Sequence, residues 1–304
     1  MKVLLAVDGS PASLVARDLV AGLHWLDRTT IHVIGAYQVP TDWTGGVGAT
    51  MDWVGGVEDA VSDQLAETLL ELSRPLAEGG LHVEREALPG RAADVIVDAA
   101  TRIGADLVVT GSRGHGRLRS MLLGSVAAEV TTHAPCPVLV ARTPGVSRIL
   151  VATDGPATAG IIATRLGDWG IFRGIPAEVV AVTVPDAPAY ELMVSLYTLG
   201  DERLARQRAE VAEEAGRGAE EMTRRLAEIG IPATPHVRTG DPAPEIIAAA
   251  ADRGADLIVT GSRGLGALDR LLLGSVARNV LTHAHCSVLV VRNAGASTSQ
   301  GGSE

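Results

Sequence analysis

The chain has 304 residues, 46% of them hydrophobic but only 3% aromatic, and its formal net charge is −10. This length predicts two domains, whose cores must be aliphatic, as in buried parallel strands covered by alanine-rich helices. The acidic balance argues against a nucleic-acid partner, although a local group of backbone N–H groups can still hold a small anion.

In chain order, short apolar runs alternate with amphipathic stretches. The first run ends at Asp8, too short for a signal peptide or a membrane helix, so a cytoplasmic protein without a membrane partner is expected. Strands are predicted at 3–7, 31–39, 81–88, 106–110 and 137–142, and helices at 11 to about 25, 58 to about 78, 91–103 and 124–133. Such alternation implies a parallel sheet with right-handed crossovers. The alternating pattern at 81–88 favours a position near the sheet edge.

The second half repeats the first. Residues 104–142 and 254–292 align without a gap at an offset of 150, and most positions are identical. A period this long indicates a duplicated domain, with the boundary at Thr143-Pro144-Gly145. The predicted domains are 1–144 and 145–293, and the small polar residues 294–304 are expected to be a disordered tail. The predicted fold is α/β, with two tandem open parallel five-stranded sheets flanked by helices.

A glycine motif follows the fourth strand of each half. It reads Gly-x-x-Gly, nine residues, then Gly-Ser at the start of a helix, from Gly111 in the first half and from Gly261 in the second. Glycine lets a backbone approach a ligand, and a helix start offers free N–H groups and a dipole worth about 0.3–1 kcal/mol to an anion. In open parallel sheets, ligands bind beyond the carboxyl ends of the strands. The motif therefore predicts a phosphate site in each half.

This pattern resembles the ATP-binding signature of the universal stress protein family, and the resemblance covers nearly the whole chain as a tandem protein with Rossmann-like domains. It implies one ATP per half, with Mg²⁺ left open. The family's strand-one Asp and a strand-two backbone lie near the adenosine, and the glycine motif surrounds the phosphates. The implied nucleotide-binding positions are Asp8, Ala36, Gly111, Arg113, Gly114, Gly124, Ser125 and Val126, and then Asp154, Val184, Gly261, Arg263, Gly264, Gly274, Ser275 and Val276.

Several points stay open at this stage. Arg113 and Arg263 either contact phosphate or a partner subunit, or are solvated. Pro156 stands where the first half has Ser10, and the lost hydroxyl and N–H weaken the case for the second site. No Walker lysine motif or kinase loop is present, so the favoured function is a nucleotide-dependent regulator in stress response with at most slow hydrolysis. The alternatives are a slow ATPase and an interaction scaffold with a structural nucleotide, and the regulatory partner is unknown.

Each half ends in an apolar strand, at 138–140 and 288–290, that the family's strand order places at a sheet edge. An open apolar edge must be covered. The resemblance implies pairing of this strand across a dimer, here as an intramolecular pseudo-dimer, with a further homodimer left open.

Two recurring features are interpreted as structural. His133 and His283 each stand three residues before a cysteine, but one His and one Cys per half fall short of the four ligands of a structural zinc, so no metal site is predicted. Cys136 and Cys286 are interpreted as buried, reduced thiols. The long loop at 40–56, which contains Trp43 and Trp53, follows strand two on the ligand side and is expected to be a lid or a contact surface.

Overall fold

The computed structural model of the chain describes residues 1–38, 51–114, 123–184, 201–262 and 273–292. The first half contains β1 (Lys2–Ala6), α1 (Pro11–Gly22), β2 (Thr30–Tyr37), α2 (Met51–Glu78), β3 (His82–Pro89), α3 (Ala92–Ile103), β4 (Leu107–Gly111), α4 (Ser125–His133) and β5 (Val138–Ala141). The second half contains β6 (Ile149–Thr153), α5 (Pro156–Trp169), β7 (Ala177–Thr183), α6 (Asp201–Glu228), β8 (Ala233–Thr239), α7 (Pro242–Arg253), β9 (Leu257–Gly261), α8 (Ser275–His283) and β10 (Ser287–Val291). Most of the expected lid loop, Arg263, Gly264 and the predicted tail lie outside the described residues.

All of these strands belong to one sheet, in the order β3-β2-β1-β4-β5-β10-β9-β6-β7-β8. Neighbours are parallel within each half, whereas β5 and β10 are antiparallel. The α/β class and the parallel halves are confirmed, and β3 is indeed an edge strand. The two predicted five-stranded sheets are, however, joined into a single sheet because their last strands pair. In each half the strand order reverses beside the first strand, between β1 and β4 and between β6 and β9.

The joint between the halves is the antiparallel pair of β5 and β10, and it brings equivalent residues of the repeat together. Leu139 lies opposite Leu289, its equivalent in the repeat, with Val138 opposite Val290 and Val140 opposite Val288. These side chains are completely or almost completely buried. The predicted pairing of the two final strands is therefore confirmed, and each strand covers the apolar edge of the other.

Helices cover both faces of the sheet, so alternate strand residues enter different cores. Val3 and Leu5 of β1 join a core with α1, α2, α5 and α6, whereas Leu4 and Ala6 join a core with α3, α4, α7 and α8. Each core contains residues from both halves. The halves therefore share their hydrophobic packing as well as their sheet.

Two arginines connect the halves at the joint. The Arg142 guanidinium, after β5, donates to the Leu281 carbonyl at 2.5 Å, and the Arg292 guanidinium, after β10, donates to the carbonyls of Thr131 and Thr132. Burial lowers the pKa of Arg142 to about 10. The accepting carbonyls lie in the last turns of α8 and α4, where no intrahelical donor remains. Each arginine thus holds the C-terminal end of the equivalent helix in the other half.

Two helix boundaries differ from the sequence expectation. Helix α1 ends at Gly22 rather than near Trp25, whose indole N–H instead donates to the Val20 carbonyl at 2.7 Å. Helix α2 begins at Met51 rather than at residue 58. Among the described helices, none combines the length and the apolar character that crossing a membrane requires.

Candidate functional site

A cavity of about 1230 Å³ opens at the carboxyl ends of β1 and β4, where the strand order of the first half reverses. This is the location at which open parallel sheets bind ligands. Every position predicted for the first half lines this cavity, namely Asp8, Ala36, Gly111, Arg113, Gly114, Gly124, Ser125 and Val126. Residues from four separate segments of the chain therefore meet at one void.

The N-terminal end of α4 lies at this cavity. Gly124 is the N-cap residue in an extended conformation (φ −79°, ψ 155°), and none of the described side chains caps the helix. The first intrahelical donor is the N–H of Ala128, which bonds to the Gly124 carbonyl at 3.0 Å. The N–H groups of Ser125, Val126 and Ala127 precede it, and all three residues line the cavity. Such uncapped N–H groups favour an anion.

The glycines of the motif have different physical roles. A Cβ at Gly111 would lie 2.6 Å from the backbone carbonyl of Ala12, so this glycine is required by the packing of β4 against the start of α1. The close backbone of α1, rather than the approach of a ligand expected from the sequence, excludes a side chain there. A Cβ at Gly114 would lie 2.7 Å from Oδ2 of Asp8, and glycine here leaves space for that carboxylate.

Asp8 is held by the turn that starts α1. Its Oδ1 accepts the Ser10 N–H at 3.0 Å. The Ser10 hydroxyl accepts the N–H of Ser13 at 3.3 Å and donates to the Arg113 carbonyl at 3.4 Å. It therefore connects the start of α1 with the glycine loop, which is the segment after β4 that contains Arg113 and Gly114. Ser10 is buried and lines the cavity, although it was not among the predicted site residues. A serine before a proline at a helix start is the sequence signal that identifies such a cap.

Ala36 presents its backbone to the cavity. Strand β1 pairs with β2 only as far as Ile34, whose carbonyl accepts the N–H of Val7. Peptide groups alternate in direction along a strand, and the carbonyl of Tyr37 points to the β3 side, where it accepts the N–H of Gly90 at 2.8 Å. The peptide groups of Ala36 therefore point to the side on which β1 has ended.

The sequence family "Universal stress protein family" matches the chain twice, over residues 1–142 and 145–292. The chain belongs to the universal stress protein family. A tandem universal stress protein of Mycobacterium tuberculosis is 29% identical over 95% of this chain and 96% of its own length. A universal stress protein of Bacillus subtilis is 40% identical over 46% of this chain and 98% of its own.

A solved universal stress protein from Archaeoglobus fulgidus has the same fold. It superimposes with a TM-score of 0.63 at 22% identity, covering 96% of this chain and 98% of that protein. At this identity the match concerns the fold alone.

The second half of this universal stress protein repeats the helix geometry of the first. Gly274 is an extended N-cap of α8 without a side-chain cap among the described residues, and its N–H donates to the Ser262 carbonyl at 2.8 Å, as that of Gly124 does to Ser112. Ser275 and Val276 follow at the start of α8, Gly261 ends β9, and Asp154 follows β6. Arg263 and Gly264 lie outside the described residues.

One predicted position in the second half requires correction. The N–H of Gly240 donates to the carbonyl of Thr183, as that of Gly90 does to Tyr37, so Thr183 is the equivalent of Tyr37. The equivalent of Ala36 is therefore Val182 rather than Val184. Val184 lies two residues farther along, beyond the end of β7, and is 58% exposed.

The first helix of each half, α1 and α5, starts in a different way. Helix α1 is capped by the Ser10 hydroxyl. Helix α5 begins at Pro156, directly after its N-cap residue Gly155 (φ 155°), and therefore has no side-chain cap. As expected from Pro156, the start of α5 therefore lacks the capping contact that the Ser10 hydroxyl makes at the start of α1.

The recurring histidines and cysteines have structural contacts. His133 and His283 each place Nδ1 2.9 Å from a carbonyl of their own helix, those of Glu129 and Asn279. Both cysteines are buried and unpaired, and burial raises the pKa of Cys136 to about 12 and that of Cys286 to about 11. The thiolate forms that react or bind metals are therefore strongly disfavoured.

We expect both thiols to be inert in the folded protein. A disulfide reagent such as DTNB at pH 8 should label close to none of them within minutes and both after denaturation in guanidinium, because only thiolates react. Rapid native labelling of either thiol would show that its surroundings are more open than the structure indicates. Single Cys136→Ser and Cys286→Ser variants assign any labelling to one position.

Proposed function

We propose that this universal stress protein binds ATP in each half and acts as a nucleotide-dependent regulator in stress response. The observation that supports it most directly is the meeting of all predicted first-half positions at one cavity. Pockets for small molecules measure roughly 300–1,000 Å³, so the cavity of about 1230 Å³ is large enough for a nucleotide. Two unpaired thiols suit the reducing cytoplasm, where we place this function.

The residues present fit an adenine nucleotide. The uncapped N–H groups at the start of α4 and the guanidinium of Arg113 are suited to phosphate oxygens. The Asp8 carboxylate is suited to accept hydrogen bonds from ribose hydroxyls, and the peptide groups of Ala36 are suited to the edge of the adenine. In the second half, we assign the corresponding roles to the start of α8, Asp154 and Val182.

Hydrolysis in this site is proposed to be slow at most. Phosphoryl transfer depends on positioned cations and on a group that orients the nucleophile. The carboxylates among the described lining residues are Asp8 and Glu129. Asp8 accepts the Ser10 N–H, and Glu129 forms an ion pair with Arg91 at 2.7 Å. With Glu129 in an ion pair and Asp8 assigned to the ribose, neither carboxylate is left to orient a nucleophile, which favours a regulator over a fast ATPase.

Titration calorimetry of the ligand-free protein with ATP should give two equivalents per chain. A value near one would confine the proposal to the first half, with Pro156 as the first residue to revert to serine. A value near zero would overturn it.

Incubation of the complex for hours, followed by nucleotide analysis, tests the hydrolysis proposal. Recovered ATP supports the regulator, and turnover on the scale of seconds would contradict it.

A further inference from the structure

The first-half cavity extends to the second half of the chain. Arg278, Leu281 and Thr282 of α8 line it, and their spacing places them on one helix face. On the opposite side, α4 contributes a face that includes Ser125, Ala128 and Thr132. The void therefore lies partly between two helices from different halves. Its volume exceeds the usual range for a small-molecule pocket.

The joint between the halves determines where the α8 face lies. The guanidinium of Arg142 donates to the Leu281 carbonyl, one turn beyond Arg278, and the guanidinium of Arg292 donates to the last turn of α4. Both arginines follow the paired strands β5 and β10. The position of Arg278 beside the cavity is thus fixed by the sheet and by partly buried hydrogen bonds.

The charges along the cavity leave Arg278 available for a ligand. Its side chain is exposed, and its guanidinium makes no hydrogen bond or ion pair with any other residue that the structure describes. Glu129, an acidic residue on the α4 side, is ion-paired with Arg91. A guanidinium in this situation suits a phosphate group, which it can bind through two parallel N–H donors.

We propose that Arg278 binds the phosphate chain of the nucleotide held in the first half, so that this site is built from both halves. The inference rests on the proposed function, since it concerns the same cavity. It also makes the two sites unequal. The equivalent of Arg278 in the repeat is Ala128, so the second-half site receives no guanidinium from the first half at this position.

The test compares ligands with different numbers of phosphates. In an Asp154→Ala background, which weakens the second site, Arg278→Ala should reduce ATP affinity about tenfold, the effect of losing one charge-assisted contact at a partly screened position. Affinity for adenosine should change less than about twofold, and AMP should fall between. Arg278→Lys should recover part of the loss, because it restores the charge without the fork of donors.

The reciprocal variant is a matched gain-of-function control. Ala128→Arg places a guanidinium at the equivalent position of the first half. In an Asp8→Ala background it should strengthen ATP binding at the second site without strengthening adenosine binding.

The outcomes separate the inference from the proposed function. Unchanged ATP affinity in Arg278→Ala, or an equal loss for ATP and adenosine, would overturn the role of Arg278 while leaving the nucleotide site intact. A parent protein that binds no adenine nucleotide would overturn both.

Discussion

Replacing Gly124 by valine is expected to weaken ATP binding at the first-half site at least about a hundredfold. A Cβ at this position would lie 3.2 Å from the Arg113 Cα and 3.3 Å from the Ser112 carbonyl oxygen. Both neighbours are backbone atoms, so the glycine loop must move away from α4. Loss of two charge-assisted contacts at about 1.5–3 kcal/mol each accounts for an effect of this size.

The matched control is Gly145→Val in the connection between the halves. A Cβ there would meet nothing within 4 Å, and its backbone does not have a positive φ. It should leave both affinity and unfolding unchanged. The fold of Gly124→Val should survive, because its backbone conformation is extended and the loss of a glycine N-cap costs about 1 kcal/mol. Two equivalents bound with parental affinity by Gly124→Val would place the phosphate site elsewhere.

Replacing Val140 by proline is expected to break the joint between the halves. The carbonyl of Ala141 faces β4, where it accepts the Ser112 N–H, so by alternation the peptide groups of Val140 face β10. Proline removes this donor and leaves the opposite carbonyl of Val288 unpaired, which costs about 1–3 kcal/mol in addition to the lost packing of a fully buried side chain. Chemical denaturation should show the loss, and hydrogen exchange should accelerate at Val288 and Val290.

Leu139→Pro is the matched control, one residue away and equally buried. Its peptide groups face β4, so exchange should accelerate first in β4 rather than in β10. The same exchange pattern in both variants would contradict the described register. If neither protein folds, Arg292→Ala tests the joint more gently, since it removes only the donors to the carbonyls of Thr131 and Thr132.

The sequence predicted central strands such as β4 and β5 well because each is a short aliphatic run buried on both faces, which few other structures allow. The edge strand β3 is largely polar and was predicted from its alternating pattern instead. Helix ends were less predictable. Trp25 continues the apolar pattern of α1, but its indole binds the end of the helix instead of extending it. The start of α2 was placed too late because Gly55 and Gly56 disfavour a helix, yet both lie inside it.

The candidate site, too, could be predicted only in part. That Asp8 and the first-half glycine motif line one cavity could be predicted, because strand ends of a parallel sheet meet at one edge. Val182 was not identified as the equivalent of Ala36 because an apolar strand carries no mark of its register, which the bond from Gly240 to Thr183 and the pairing of β6 with β7 reveal. The proposed role of Arg278 could not be predicted, because its position at the first-half cavity depends on the pairing of β5 with β10, a relation between residues far apart in sequence.

The symmetric register at Leu139 and Leu289 has an evolutionary consequence. A strand edge that pairs with its own repeat is self-complementary, so two separate copies of one half could associate through the same contacts. In such a homodimer, every mutation appears in both subunits at once. Covalent fusion removes this restriction, because each copy of the duplicated gene segment mutates alone. Ser10 in place of Pro156, and Ala128 in place of Arg278, are differences between the repeats that a homodimer of one half could not keep, and they allow one half to specialise while the other diverges.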